Sequence, residues 1–260
     1  MSIKPAGEER EVKLLGGATV DGAPIAYLIV LAAVVTGLAL IPLSVVLGSG
    51  KSFPMSQGIY PLVGWILGPI AGAIASAIGA SLGIFIAPHT TTVPLATVLG
   101  AVMGSFAAGA MVAAGPRRNW WLPLSLLLFV IYGFYGGRAV LQNGVPVYAV
   151  VLGSFINWSA LLLFLLPTRR LAASWIGHQD LRRVASGLFL GTWMAAGLSH
   201  LTAAAIVYFV VNWPEAVWLA MAPLAPLEHL ARCVVGTVIG TGVIAGLRAI
   251  GLVKPAWAVY

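Results

Sequence analysis

Hydrophobic residues fill most of the chain in runs long enough to cross a membrane, and short polar stretches separate those runs. Six apolar runs of spanning length occupy residues 24–48, 94–114, 120–138, 147–167, 184–211 and 229–250. A further apolar stretch extends from 57 to 87. This pattern predicts an all-α protein, a polytopic transmembrane helix bundle with six to eight membrane segments.

The stretch 57–87 could cross the membrane once or fold back at Gly68-Pro69, where a proline suits the first turn of a new helix. Positive charge distinguishes the two topologies. If the chain folds back, eleven of the 14 Lys and Arg residues lie on the side of the basic N-terminus, while Lys51 and Arg138 lie on the other side. A single crossing would put most of them opposite that N-terminus, against the positive-inside rule. The sequence therefore predicts eight apolar segments with both termini cytoplasmic.

Composition supports one membrane domain. The chain is 60% hydrophobic and 8% charged, whereas soluble domains carry about 25% charged residues. We expect a cytoplasmic tail at 1–23, one transmembrane helical domain at 24–250 and a second cytoplasmic tail at 251–260. The net charge of +7 is explained by Lys and Arg residues in cytoplasmic loops, so we expect no nucleic-acid partner. We expect a multi-pass protein of the plasma membrane, in contact with lipid.

Small residues recur at the four-residue spacing that lets membrane helices approach closely. Gly68/Gly72, Gly79/Gly83, Gly100/Gly104 and Gly236/Gly240 all have this spacing, and Ala33 and Gly37 repeat it on the first segment. We predict that Ala33, Gly37, Gly72 and Gly79 serve helix packing or the docking of a membrane partner.

Catalytic and metal-binding patterns are not evident. The run GSGKS (Gly48–Ser52) resembles a phosphate loop, but Val45 stands where the first glycine of that motif belongs, and Phe53-Pro54 follows where a helix should begin. The four histidines lack metal-ligand spacing, and the single cysteine, Cys233, excludes an intrachain disulfide. We expect no enzyme activity, no cofactor and no metal.

Ionisable residues lie within predicted spans or at their edge, namely His200 and the pair Glu228 and Arg232. His200 is either a packed neutral imidazole or a functional residue. Glu228 and Arg232 have i, i+4 spacing on the last span, where they form either a mutual ion pair or a pair that anchors a ligand.

The predicted outward loops are rich in polar and aromatic side chains. They cover residues 51–57, 88–92, 138–144 and 212–218, and they suit the capture of a small polar molecule with a flat ring. Ordinary solvated loops with interfacial aromatic residues would have a similar composition. The predicted pocket is closed by Lys51–Gln57, and its substrate-binding residues are Lys51, Gln57, Trp65, His89, Asn143, Glu228 and Arg232.

Two stretches resemble the substrate-binding S components of energy-coupling factor (ECF) transporters. LVGWILGPIAGAIASAIGASLG is similar to the turn between the second and third helices of that family, and APLEHLARCVVGTVIGTGVIAGLRAIGLVKP is similar to its last helix. The resemblance implies six helices and a site for a vitamin or related micronutrient on the outer side. It also implies docking through the first helix on a transmembrane T component that two ATPase subunits drive.

The chain departs from that family in its eight apolar segments and in a long cytoplasmic loop at 168–183. The alternative function is a non-catalytic structural or assembly subunit of a larger membrane complex. Such a subunit would use the small-residue faces and would need no cluster of polar residues on the outer side.

Overall fold

The computed structural model describes residues 17–45, 51–251 and 253–260. The first sixteen residues of the predicted N-terminal tail lie outside the described residues, as do Gly48–Gly50 of the glycine-rich run and Leu252 of the C-terminal tail. The described residues form ten α-helices and two short antiparallel hairpins.

The helices follow one another with short connections. They are α1 (Ile25–Leu38), α2 (Tyr60–Leu67), α3 (Pro69–Ile86), α4 (Pro94–Val112), α5 (Trp121–Gly137), α6 (Val147–Gly153), α7 (Phe155–Leu165), α8 (Thr168–Ile176), α9 (Leu181–Val210) and α10 (Glu215–Ile250). One hairpin pairs β1 (Thr19–Val20) with β2 (Ala23–Pro24), and the other pairs β3 (Pro42–Val45) with β4 (Ser52–Pro54).

Five segments are long and apolar enough to cross a membrane: α3, α4, α5 with the short turns on either side of it, α9 and α10. The pair α6–α7 is bent by 68° and makes a sixth if it counts as one span. Helix α1 has 14 residues and is shorter than a full crossing. The predicted all-α membrane bundle is confirmed.

The predicted turn at Gly68-Pro69 is also confirmed, because α2 ends at Leu67 and α3 begins at Pro69. Gly68 has a φ of +87°, a backbone conformation that residues other than glycine rarely adopt. All eight residues of α2 are buried, and a helix of this length spans about 12 Å. Helix α2 is therefore a short helix enclosed by its neighbours.

Two predicted spans have different limits in the structure. The span predicted at 24–48 is wrong, because the helix ends at Leu38 and β3 begins at Pro42, whose ring and missing N–H do not suit a continuing helix. The span predicted to start at 229 begins instead at Glu215 and includes Pro223 and Pro226, since helices within a bundle tolerate proline.

The loop predicted at 168–183 is also wrong, because most of it is helical. Helix α8 buries Arg169, Ala172 and Ile176 and packs against α9. The Arg169 guanidinium stabilises this arrangement by donating to the carbonyls of 164–166 at 2.7–3.2 Å. Its carbon also lies 3.5 Å from the centre of the Trp121 ring. Burial of its apolar face explains why a basic segment is folded.

The two ends of the described chain meet at one end of the bundle, which we call the terminal end. The N–H of Ala256 donates to the carbonyl of Gly22 at 3.2 Å, and Trp257 packs against Gly68. Arg117 bridges this end by a bidentate pair with Asp21 at 2.5 and 2.6 Å. The connections α3–α4, α5–α6 and α9–α10 lie at the opposite end.

The predicted packing residues divide between two environments. A Cβ at Gly72 would lie 2.8 Å from the Cα of Gly64, and one at Gly79 would lie 2.6 Å from Val35. These two glycines therefore hold α3 against α2 and α1. Ala33 and Gly37 lie on the exposed face of α1, and a Cβ at Gly37 would meet no described atom within 4 Å.

Candidate functional site

A cluster of charged and polar side chains lies along the middle of α10, inside the bundle. Arg232 is 1% exposed, and the Glu228 side chain is 20% exposed. The closest approach between the two, from Nη2 of Arg232 to Oε2 of Glu228, is 3.8 Å. This distance allows electrostatic attraction but is too long for a hydrogen bond.

One edge of the Arg232 guanidinium is left without hydrogen bonds. Nε and Nη2 are both buried, and neither has a hydrogen-bond partner among the described residues. These two nitrogens form the edge with which arginine binds a carboxylate through two parallel hydrogen bonds. The Phe53 ring of β4 lies over the guanidinium, with 4.7 Å from its carbon to the ring centre.

The β3–β4 hairpin and the turn after it cover this part of α10. The Ser44 side chain approaches the Glu228 carboxylate, although its buried hydroxyl makes no hydrogen bond of standard geometry to a described residue. The turn Met55–Gly58 packs on α10, where the carbonyl of Gly58 would be 2.6 Å from a Cβ at Gly236. The hairpin therefore forms one wall of the site.

Two histidines extend the cluster toward α7 and α9. Nε2 of His229 donates to the carbonyl of Trp193 at 2.9 Å, so in the neutral imidazole Nδ1 is an acceptor; that atom is buried and has no partner among the described residues. Nδ1 of His200 donates to Oδ1 of Asn157 at 2.8 Å. Both imidazoles lie close enough to Arg232 for its positive charge to interact with them.

Helix α7 follows a 68° bend after α6 and packs against α9, and it carries Asn157 to the cluster. A Cβ at Gly153, next to the bend, would lie 2.4 Å from the carbonyl oxygen of Trp218, so only glycine fits against α10 there. Farther along α7, the Ser159 hydroxyl accepts a hydrogen bond from the Trp193 indole at 3.3 Å. The Trp193 and His229 rings meet edge to face, with centroids 4.8 Å apart. These contacts hold the imidazole of His229 in place.

The structure brings only part of the predicted pocket together. Glu228 and Arg232 form its centre. Lys51 and Gln57 belong to the hairpin wall, and Nζ of Lys51 donates to the carbonyl of Pro88 at 3.0 Å, which ties the hairpin to the α3–α4 connection. His89 lies in that connection and is exposed.

Asn143 belongs to a different cluster, at the α5–α6 connection and away from the terminal end of the bundle. Its amide donates to the Tyr208 hydroxyl at 2.6 Å and to Oδ1 of Asn212 at 3.3 Å. Tyr208 packs with Tyr135, Trp213 and Trp218 at centroid distances of 5.2–5.6 Å. This is a packed aromatic group, and it holds the α5–α6 connection against the end of α9.

Trp65 does not reach the charged cluster. The indole is fully buried and lies against Gly191 of α9, while the carbonyl of Trp65 accepts from the N–H of Val259 at 2.8 Å. Trp65 thus lies toward the terminal end, and the expectation that it walls a pocket with His89 and Asn143 is wrong. The helix that carries it is too short to reach the other end of the bundle.

Sequence reasoning missed several members of the cluster, namely Ser44, Asn157, Trp193 and His229, and it included Phe53 only as part of the closing segment Lys51–Gln57. A signal was present for His229, which shares one turn of α10 with Glu228 and Arg232. Asn157 is a lone amide in an apolar span, which often marks a functional position. The pairing of Phe53 with Arg232 depends on tertiary structure alone. In the described part of the chain, no group of three or more metal-ligating side chains is placed to hold a metal ion.

No protein-family model, curated protein or solved structure matches this chain. The fold and the site together define its class as a multi-pass membrane protein with a charged cluster buried inside the bundle and covered by a hairpin.

Proposed function

We propose that this protein is a membrane-embedded subunit that binds a small polar molecule for uptake. The observation that supports this proposal is the open edge of Arg232, where two buried donors have no partner among the described residues. A buried guanidinium with unmade hydrogen bonds destabilises a folded protein. A ligand with two acceptor oxygens would remove that cost.

The chemistry of the cluster selects among small molecules. A ligand carboxylate would bind Nε and Nη2 of Arg232 in parallel. A donor on the same ligand would reach Nδ1 of His229 or the Glu228 carboxylate, both of which accept hydrogen bonds. The Phe53 ring supplies an apolar cover over the guanidinium. The substrate is therefore a small acid that also carries a donor group, a description that many vitamins and related micronutrients fit.

The source of energy and the location follow from the resemblance to ECF S components. In this proposal the protein lies in the plasma membrane, takes its substrate from the outer side and works with a transmembrane T component and two ATPase subunits. The exposed strip of Ala33 and Gly37 on α1 offers a close-packing face for such a partner.

The test is to identify and measure the bound molecule. Mass spectrometry of small molecules released from the purified, denatured protein should detect an organic acid. Arg232→Lys keeps the positive charge but loses the two-donor edge, and it should lower affinity about ten- to hundredfold, because hydrogen bonds to charged groups contribute about 1.5–3 kcal/mol. Arg170→Gln removes an exposed arginine from α8 and should leave binding unchanged.

Two results would contradict the proposed binding function. If Arg232→Lys carries the same ligand at the same affinity as wild type, the open edge does not bind the substrate. If neither the wild type nor Arg232→Lys carries or binds a small molecule, while α1 still associates with a membrane partner, the alternative of a structural or assembly subunit replaces this proposal.

A further inference from the structure

A second site is suggested by a hollow at the terminal end of the bundle, far from the charged cluster. It has a volume of about 370 Å³ and lies between the end of α10 and the C-terminal segment. Its lining residues come from three parts of the chain: Gln179, Leu247, Arg248, Gly251, Lys254 and Tyr260.

The charge of this hollow is positive. Arg248 and Lys254 are cations, and none of the described side chains that line the hollow is acidic. A terminal carboxylate on Tyr260 would balance one cation and leave the other. Burial, followed by the charge of Arg248, lowers the pKa of Lys254. An anion in the hollow would offset both effects.

Both cations are held in place by hydrogen bonds to main-chain oxygens. Arg248 donates through Nη1 to the carbonyl of His178 at 2.8 Å and through Nη2 to the carbonyl of Ile176 at 3.1 Å. Nζ of Lys254 donates to the main-chain oxygen of Tyr260 at 2.6 Å and lies 5.2 Å from the centre of that ring. The Tyr260 hydroxyl is buried without a hydrogen-bond partner among the described residues. The cationic groups are thus fixed beside the hollow before a ligand arrives.

Apolar side chains beside the hollow are turned outward. Ile250 is 68% exposed and Val253 is 75% exposed, and each directly precedes a lining residue in the sequence, Gly251 and Lys254. Ile250 is the last residue of a membrane-spanning helix and Val253 comes just after it, where lipid headgroups meet the acyl chains. A molecule at this place would contact cations with its polar group and apolar side chains with the rest. Basic pockets between membrane helices bind anionic headgroups in this manner.

We propose that the hollow binds the phosphate of an anionic phospholipid, with Arg248 and Lys254 at the headgroup and Ile250 and Val253 along the acyl chains. A free phosphate would use the same two cations but would gain nothing from the apolar residues. The proposal does not depend on the substrate of the charged cluster.

The test uses the full-length protein purified in detergent and measures bound lipid by native mass spectrometry. Phosphatidylglycerol is compared with phosphatidylcholine of the same acyl chains and with inorganic phosphate alone. We expect one phosphatidylglycerol to be retained at concentrations where phosphatidylcholine and phosphate are lost. Lys254→Gln should weaken this binding about fivefold, the effect of one basic residue at an anionic membrane surface.

The control is Arg118→Gln, which removes an exposed arginine at the same end of the bundle but outside the hollow. It should retain phosphatidylglycerol as wild type does. Arg248→Gln serves as a second variant; because Arg248 also braces the α8–α9 connection, its folded fraction is measured first. Equal losses in Lys254→Gln and Arg118→Gln would show diffuse attraction and overturn the proposal. Binding of inorganic phosphate as strong as that of phosphatidylglycerol, with the same Lys254 dependence, would overturn its lipid part.

Discussion

Gly109→Ala tests how tightly α4 packs on the turn between α2 and α3. A Cβ at Gly109 would lie 2.3 Å from the nitrogen of Pro69, 2.5 Å from its Cα and 2.7 Å from the carbonyl carbon of Gly68. All three atoms belong to the backbone, so no side-chain rotation relieves the clash. The turn itself cannot easily relax, because Gly68 already has a positive φ and proline fixes the next φ.

The size of the effect follows from these distances. Carbon atoms in favourable contact lie about 3.5–4.0 Å apart, so α4 must move away from the turn by about 1 Å. Overpacking of this kind costs about 1–3 kcal/mol, and a backbone obstacle places the cost at the upper end. Replacing glycine by alanine in a helix stabilises the folded state by about 0.5–1 kcal/mol. A net loss of about 2 kcal/mol lowers the melting temperature by about 4–8 °C in a domain of this size.

Thermal unfolding can be followed through Cys233, which is the only cysteine of the chain and is fully buried. A thiol-reactive fluorescent dye in detergent labels it only when the bundle opens. The control is Gly133→Ala in α5, where a Cβ would meet no described atom within 4 Å. We expect this control to melt at or above the wild-type temperature. If Gly109→Ala also melts there, α4 does not pack on the turn as described.

Two further predictions concern packing and topology. Gly79→Leu should lower the yield of folded protein, because a Cβ alone would already lie 2.6 Å from Val35. Gly37→Leu, on the open face of α1, should fold normally and weaken only the proposed association with a membrane partner; equal yields from the two variants would mean that α1 does not pack on Gly79. Cysteines introduced at exposed His89 and Gln142 should label from outside intact cells, and one at exposed Ser174 only after permeabilisation; labelling of all three from outside would contradict the predicted topology.

Much of the bundle could be predicted from sequence because membrane helices need long apolar runs and because charge constrains topology. The turn at Gly68-Pro69 followed from both signals together. Helix α8 was missed since its arginines are typical of a solvated loop, and only the structure shows Arg169 donating to the carbonyls at the end of α7.

The candidate site was harder to predict because its members are distant in sequence. Glu228 and Arg232 share one helix, so their spacing placed them together. Trp65 was misplaced because sequence does not determine how deeply an eight-residue helix lies in a bundle. The position of Phe53 over Arg232 depends on the hairpin fold, for which the sequence carries only short polar and proline signals.

The energetic cost of Arg232 links the site to its proposed use. A charge inside a membrane protein is expensive and is normally compensated by an opposite charge, hydrogen bonds or water. Glu228 supplies the opposite charge at 3.8 Å, but the hydrogen bonds of Nε and Nη2 are unmade within the described residues. If Arg232 served only to pair with Glu228, direct hydrogen bonds would be the more stable arrangement. The nearby carboxylate therefore lowers the cost of keeping the guanidinium charged, while its separation leaves the guanidinium edge without a partner among the described residues, as the proposed binding of an acid requires.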